Sequence, residues 1–348
     1  MSSDQRGDET ARNKAERLAN LKGRFRTNTS EVFFDPKPLA SSLGVVLPVV
    51  KAYPAAGNLL SVSGRIEMQE QIIKYDDVTF HEGGTLVLNN SSVPWIAIAA
   101  RKVKFNAPQI TTNIIRFSKV SIGSIGTKGT DGPSYDRHGE GRSGRNGGHG
   151  GAGNPGENGL EVKVPDVYLF AGEIIADSGN PEIIDVKLNL TGHQGGTGGK
   201  GGPGGIGGNG ERGSRASQAC CYCRTGPGQG GNGGDGGPGG RGGDGGRGSN
   251  GSAVTIYGPV EIIDRMSFWV FSVEGGPGGN GGPPGIPGTP GEYGIAGAPD
   301  LPFCQPTDYR IGKPGKYPNP SHLGSGDVGT QGARGSISYA LGDVTDFW

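Results

Sequence analysis

The stretch GPGQGGNGGDGGPGGRGGDGGRG, residues 226 to 248, is the feature that most limits how this chain can fold. Its non-glycine residues recur at every third position, and residues 194–209 repeat the pattern. A period of three matches the extended polyproline II helix, which has three residues per turn and a rise of about 3.1 Å per residue. The pattern therefore predicts helices with one edge of side chains and two edges of bare backbone.

Such a helix has no internal hydrogen bonds, and ordering its backbone costs about 1–2 kcal/mol per residue. Packing can offset this cost, because bare glycine edges let N–H and C=O groups bond between neighbouring helices. Residues 276–299 contain GPPGIPGTPG with glycine at every third position, which also suits a collagen triple helix. Short GGx blocks separated by strand-like runs favour a bundle within one chain. A flexible glycine linker is the third alternative, and the shared phase of the repeats argues against it.

Short β-prone runs fill the chain from about residue 58 and alternate with glycine blocks after residue 122. The early runs follow one another too closely for intervening helices. We therefore predict an all-β fold, in which a β-helix-like or sandwich scaffold carries inserted polyglycine II helices packed as a bundle. The predicted domains are a leader or docking helix at 1–30, a β scaffold at 31–122 and an alternating strand and glycine-helix domain at 123–348.

The leader prediction depends on residues 8–24, where alanines and leucines recur at helical spacing among many charges; they are Ala11, Ala15, Leu18 and Leu21. The region contains no apolar stretch of the kind a secretory signal needs. No part of the chain is apolar for long enough to span a bilayer. We expect a protein without a membrane span, in a virion or outside the cell without a classical signal peptide, or alternatively in the cytoplasm.

The charge balance argues against nucleic-acid binding. The sequence has 33 basic and 33 acidic residues mixed along its length. A surface that follows nucleic-acid phosphates needs an excess of positive charge on one face. We therefore expect no nucleic-acid partner.

The blocks GGTGGKGGPGGIGGNG and GQGGNGGDGGPGGRGGDGG resemble the polyglycine II bundles of tail-tip adhesins from T-even-like bacteriophages, and more distantly those of snow-flea antifreeze proteins. The resemblance covers the glycine blocks only. The phage class implies receptor binding through loops between glycine helices, and the antifreeze class implies a flat ice-binding face. An ice-binding face needs small, regular side chains, whereas the third positions here include Lys200, Asp235 and Arg241. Receptor binding is therefore the favoured interpretation.

Motifs for catalysis are missing from the sequence. Three histidines, His138, His149 and His193, lie in or beside glycine blocks, where nothing apolar can orient or desolvate them. There is no GxSxG, HExxH or Walker-type sequence, and GGNGGDGGPGG lacks the apolar residue of a calcium-binding nonapeptide. We expect no enzyme activity, no cofactor and no metal site.

Four cysteines, Cys220, Cys221, Cys223 and Cys304, form one tight cluster and one distant partner. Structural zinc sites usually present CxxC or Cys/His pairs, and adjacent cysteines seldom both reach one tetrahedral centre. We expect one disulfide that joins residues 220–223 to Cys304, or free thiols.

Breaks in the glycine period at 133–140, 211–225 and 300–323 combine aromatic residues with arginine, a composition typical of binding surfaces. The candidate binding residues are Tyr135, Arg137, His138, Arg215, Tyr222, Arg224, Phe303, Tyr309, Arg310, Tyr317 and His322. The same breaks could simply turn the chain between helices.

The sequence is therefore interpreted as a non-enzymatic recognition module, an adhesin or receptor-binding protein that presents loops from the glycine bundle. Its expected partner is a cell-surface receptor or glycan, and a homo-oligomer is compatible with the pattern. The alternative is a structural component of a particle or extracellular assembly, docked by its N-terminal helix.

Overall fold

A computed structural model describes residues 42–106, 113–118, 163–176, 186–298, 302–304, 311–319 and 324–348, with residue 16 and the short segments 26–27 and 32–34. The helices in this part of the chain are α1 (Ser42–Ala52) and α2 (Val260–Met266), with a 3-10 turn at Thr345–Phe347. The strands are β1 (Arg26–Thr27), β2 (Val32–Phe34), β3 (Gly57–Val62), β4 (Arg65–Met68), β5 (Ile72–His81), β6 (Thr85–Leu88), β7 (Trp95–Asn106), β8 (Asn113–Phe117), β9 (Asp166–Ala176), β10 (Lys187–Asn189), β11 (Ser217–Ala219), β12 (Tyr222–Thr225), β13 (Val254–Gly258), β14 (Val270–Ser272) and β15 (Ile337–Leu341).

Two parallel sheets share one hydrophobic core. The first sheet has six strands in the order β1-β14-β10-β8-β6-β4, and the second has seven in the order β2-β15-β13-β9-β7-β5-β3. Leu86 and Leu88 of the first sheet belong to the same buried cluster as Ile96 and Val167 of the second. The strands therefore alternate inward apolar residues with residues on the outer faces.

Helix α1 covers the outer face of the second sheet. Leu43, Val46 and Val50, at positions i, i+3 and i+7, pack into a second buried cluster with Ala97 and Phe170. The buried side chain of Lys74, only 2% exposed, closes the end of the helix. Its Nζ donates hydrogen bonds to the backbone oxygens of Val50 at 3.0 Å and of Tyr53 at 2.5 Å. These carbonyls have no partner within the helix, so the cation caps the helix C-terminus.

Glycine-rich segments extend from the sheets, and we number them in chain order. The first segment (191–216) follows β10, and the second (226–253) leads into β13. The third segment (274–298) follows β14, and the fourth (311–319 and 324–336) leads into β15. Each sheet therefore continues into glycine segments beyond its strands.

Backbone hydrogen bonds join these segments at every third residue. Second-segment amides donate to first-segment carbonyls from Gly228 with Ser214 to Gly246 with Gly196, each at 2.8 Å. The first segment donates to the third, the third to the second, and the fourth to the third at the same interval. The register shows that the first and third segments run parallel to each other and antiparallel to the second. The bonds satisfy buried backbone N–H and C=O groups, which glycine leaves bare because it has no side chain.

The predicted all-β class with a β-helix-like or sandwich scaffold is wrong, because the described residues form a mixed α/β fold with two parallel sheets and two helices. The sequence expectation overlooked the helical spacing of Leu43, Val46 and Val50 in a run rich in β-branched valine. Ile262, Ile263 and Met266 likewise make one buried helical face after Pro259. The strand-like runs between residues 59 and 117 lie largely in β3 to β8.

The predicted leader helix at 8–24 lies outside the described residues except for residue 16. Among the described residues, no helix has the length and apolar character needed to cross a bilayer.

Candidate recognition surface

The antiparallel hairpin of β11 and β12 forms the turn between the first and second glycine segments, at the end farthest from the sheets. The last bonds of the first segment run from Gly213 to Ile295 and from Ala216 to Ala298. At a rise of about 3.1 Å per residue, the first segment is roughly 75 Å long. We call residues 215–225 and 302–304 the distal tip. It lies well away from the hydrophobic core.

A disulfide between Cys223 and Cys304 fastens the distal tip. The two residues are 81 apart in sequence, and their Cα atoms are 4.8 Å apart. Cys223 lies in β12, whereas Cys304 follows the third glycine segment and is 1% exposed. The bond therefore holds the hairpin against the neighbouring chain at the end of the glycine ladder, where backbone bonding stops.

Four of the predicted binding residues belong to the distal tip. Tyr222 is 63% exposed and Phe303 is 50% exposed. Arg215 and Arg224 are also exposed, on either side of the hairpin turn. Tyr222 and Arg224 flank Cys223, and Phe303 precedes Cys304, so each aromatic residue is next to a cysteine of the disulfide. Large exposed aromatic rings with arginine on a fixed backbone suit recognition, because little side-chain entropy is lost on binding.

Tyr317 is 68% exposed but lies along the side of the glycine segments. The neighbouring Lys316 accepts a hydrogen bond from Gly236, ten residues from the start of the second segment at Gly226. That separation is about 30 Å at a rise of 3.1 Å per residue. Tyr317 therefore cannot share a small binding site with Tyr222. The remaining candidates, Tyr135, Arg137, His138, Tyr309, Arg310 and His322, lie outside the described residues.

The register of the fourth segment changes just after Tyr317. Residue 316 lies 80 positions after its bonding partner 236, whereas residue 324 lies 82 positions after its partner 242. The chain between 316 and 324 is thus two residues longer than the ladder requires. The break in the period that marked this region in the sequence therefore coincides with a change in the register of the ladder.

Sequence reasoning missed a repeated side-chain contact on the flanks. Asn209 Oδ1 accepts the backbone N–H of Glu292 at 2.9 Å, and Asn232 Oδ1 accepts that of Lys313 at 2.8 Å. The same bond recurs between Asp235 and Lys316, between Asp244 and Asp327, and between Asn250 and Ala333. Each joins third positions of parallel neighbouring segments, whose amides take no part in the glycine ladder. The signal was present as Asn and Asp at third positions.

Charges on the flank of the second segment are paired with each other. Arg241 lies 2.9 Å from Asp244 and 2.7 Å from Asp327. The N–H of Asp327 and, to a lesser extent, Arg241 lower the pKa of Asp244. Such exposed pairs contribute little to stability. Arg241, Asp244 and Asp327 therefore form one charge-paired cluster on this flank.

The face formed by the first and third segments carries exposed apolar residues. Ile206, Ile286 and Ile295 are large apolar residues that remain exposed there. They stand at third positions, where side chains project away from the backbone bonds. This face was not among the predicted sites.

A polar cleft of about 960 Å³ lies where strands of the first sheet end and the first glycine segment begins. Its described lining includes Arg65, Glu67, Asn89, Arg116 and His193. Glu67 is paired with Arg65 at 2.5 Å, and burial lowers the pKa of His193. The described residues also contain no group of three or more potential metal ligands. The described lining of the cleft is therefore mostly polar.

No protein-family model matches this chain, and no curated protein matches it. Among solved structures it has a weak similarity to a springtail antifreeze protein from Granisotoma rainieri, described as a bundle of nine polyproline type II helices whose crystal waters match the ice lattice. The identity is 24%, over 51% of this chain and 96% of the other, with a TM-score of 0.11. A TM-score this low establishes neither a common fold nor a common function.

Proposed function

We propose that this protein is a non-enzymatic recognition module whose distal tip binds a cell-surface receptor or glycan, as an adhesin does. The observation that carries the proposal is the position of Tyr222 and Phe303. Each of these exposed aromatic residues is next to a cysteine of the Cys223–Cys304 disulfide, at the end of a segment roughly 75 Å long. A long support that ends in a fastened aromatic tip can reach a partner that the body of the protein does not touch.

The chemistry of the tip supports binding rather than turnover. Tyr222 offers an aromatic face and a hydroxyl group, and the exposed Arg224, two residues along β12, adds a positive charge. Sugars and protein surfaces are both recognised by this combination. The disulfide favours an oxidising location such as a virion or the cell exterior.

The experiment uses the purified full-length protein, labelled with a fluorophore at an amine. It is screened against an array of surface glycans and against intact bacterial and animal cells. On the probe with the strongest signal, the Tyr222→Ala and Phe303→Ala variants are then compared with the parent. We expect each variant to weaken binding about 30-fold, since a central aromatic anchor contributes on the order of 2 kcal/mol.

Tyr317→Ala is the matched control, because Tyr317 is as exposed as Tyr222 but lies on the flank. It should leave the affinity unchanged. Equal losses for Tyr222→Ala and Tyr317→Ala would move the site from the tip to the flank. Unchanged binding by both tip variants, or no binding to any probe, would reject the proposal.

The alternative is a structural role in a larger assembly, with the N-terminal region as the docking element. The regular backbone bonds between the glycine segments favour it, because such a ladder resists bending. Deletion of residues 1–24 separates the two functions. Lost assembly with retained binding to the selected probe supports docking through this region, and unchanged assembly contradicts it.

A further inference from the structure

Two cysteines of the distal tip take no part in the Cys223–Cys304 bond. Cys220 and Cys221 are both exposed, and they occupy the turn between β11 and β12. Their sulfur atoms are 3.5 Å apart. A disulfide bond of about 2.05 Å would require the two sulfur atoms to approach by a further distance of about 1.5 Å, through side-chain rotation together with a backbone adjustment in the turn.

We propose that Cys220 and Cys221 are a redox-sensitive pair that closes into a disulfide between adjacent residues. A low-molecular-weight disulfide such as oxidised glutathione supplies the oxidising equivalents. One cysteine thiolate attacks this disulfide, forms a mixed disulfide and releases one thiol. The neighbouring thiolate then attacks the cysteine sulfur of the mixed disulfide and releases the second thiol. The two protons lost by the cysteines end on the two released thiols, so two cysteines are oxidised as one small disulfide is reduced.

The two cysteine pairs of the tip should differ in how easily they are reduced. Consecutive Cα atoms are about 3.8 Å apart, below the range of about 4.4–6.8 Å that disulfides usually adopt. A ring between adjacent residues is therefore strained and open to solvent. Cys304, by contrast, is buried and joins distant parts of the chain. Strained and exposed disulfides are the labile ones, so the adjacent pair should open and close while the Cys223–Cys304 bond persists.

Ring closure would also change the recognition tip, since Tyr222 follows Cys221 directly in the chain. Closing the ring fixes the backbone of the turn from which Tyr222 projects. This consequence rests on the proposed binding function, whereas oxidation of the pair does not. The two can be tested separately.

The test equilibrates the full-length protein in buffers of graded reduced and oxidised glutathione. Free thiols are then blocked with N-ethylmaleimide, and the protein is analysed by intact mass and peptide mapping. We expect Cys220 and Cys221 to be labelled together or not at all, with Cys223 and Cys304 unlabelled throughout the transition of the pair. The Cys223–Cys304 disulfide should be reduced only at a glutathione potential at least about 30 mV more negative than the one that reduces the Cys220–Cys221 pair. That difference corresponds to a tenfold change in the equilibrium constant.

Cys221→Ser is the matched control. With no neighbour to displace glutathione, Cys220 should retain it as a mixed disulfide. Stable glutathione adducts on the parent pair, disulfide-linked dimers, or reduction of Cys223–Cys304 before the pair would each overturn the proposal. Binding of oxidised and reduced protein to the selected glycan or cell probe gives a separate readout. Failure of that binding would count against the adhesin role and leave the mass result intact.

Discussion

Replacing Gly201 with alanine tests whether backbone contact holds the glycine segments together. A Cβ atom at this position would lie 2.0 Å from the carbonyl oxygen of Gly240 and 2.7 Å from the nitrogen of Gly285. Both neighbours are main-chain atoms and cannot rotate away. The three segments that meet there must separate by more than about 1 Å to reach ordinary van der Waals distances.

That separation breaks the hydrogen bonds around the site. Gly201 donates to Pro283 at 2.9 Å, Gly240 donates to Gly202 at 2.8 Å, and Gly285 donates to Gly240 at 2.8 Å. Each bond contributes about 1 kcal/mol net, and each buried group left without a partner costs about 1–3 kcal/mol. We therefore expect Gly201→Ala to destabilise the segments by about 3–6 kcal/mol.

Amide hydrogen exchange measured by mass spectrometry is the appropriate assay, combined with calorimetry of the full chain. The three tryptophans, Trp95, Trp269 and Trp348, lie outside the glycine segments, so their fluorescence would report on the sheets. Exchange in peptides covering 195–213 and 228–250 should accelerate by about 100-fold or more, since each 1.4 kcal/mol corresponds to a factor of ten.

Two controls bracket this result. Gly226→Ala makes the same chemical change where no atom lies within 4 Å of the new Cβ, and Lys200→Ala alters the exposed neighbour of Gly201. Both should stay within about 0.5 kcal/mol of the parent. If Gly201→Ala exchanged as slowly as Gly226→Ala, close packing of main chains could not be what orders these segments.

Three further predictions concern other contacts. Lys74→Met should lower the free energy of unfolding by about 2–3 kcal/mol, because it leaves the final carbonyls of α1 without their cationic donor. Lys102 is half-buried and forms only a solvent-accessible ion pair with Glu173, so Lys102→Met should change the free energy by less than about 0.5 kcal/mol in thermal denaturation. Burial raises the pKa of Tyr339 to about 12, whereas a tyrosine of the unfolded chain releases its proton near pH 10. The free energy of unfolding should therefore fall as the pH rises from about 10 to 12. Denaturant titrations should show a smaller fall for Tyr339→Phe. Asn250→Ala removes the hydrogen bond to the N–H of Ala333 and should lower the local stability of the segments by about 0.5–1.5 kcal/mol. Amide exchange near residue 333 should become faster, and an unaltered rate would contradict a stabilising role.

Local patterns in the sequence located much of the structure but did not determine how its parts combine. Glycines such as Gly201 and Gly240 mark a three-residue spacing, and the backbone hydrogen bonds recur at that same spacing. The short β-prone runs that begin near residue 58 marked strands of both sheets. The class was missed at α1, where Val46 and Val50 have low intrinsic helix propensity and packing on the second sheet decides the conformation.

The candidate site was only partly predictable for a different reason. Period breaks identified Tyr222 and Tyr317 as exposed aromatic residues, yet the sequence could not say that they lie far apart. Their positions depend on the register between segments more than 80 residues apart in sequence. The choice of Cys223 as the partner of Cys304 was equally open, because pairing depends on which sulfur of the hairpin faces the neighbouring chain.

Because the glycine segments are bonded at every third residue, they tolerate only certain changes in chain length. A triplet of residues added to one segment can extend the ladder if its bonded neighbours gain a triplet as well, which corresponds to in-frame insertions of nine nucleotides. A number that is not a multiple of three shifts all later donors out of phase, unless the surplus falls between bonded stretches, as the two extra residues between 316 and 324 do. Descendants of such a gene could thus vary the reach of the tip in steps of roughly 9 Å while the sheets at its base stay unchanged.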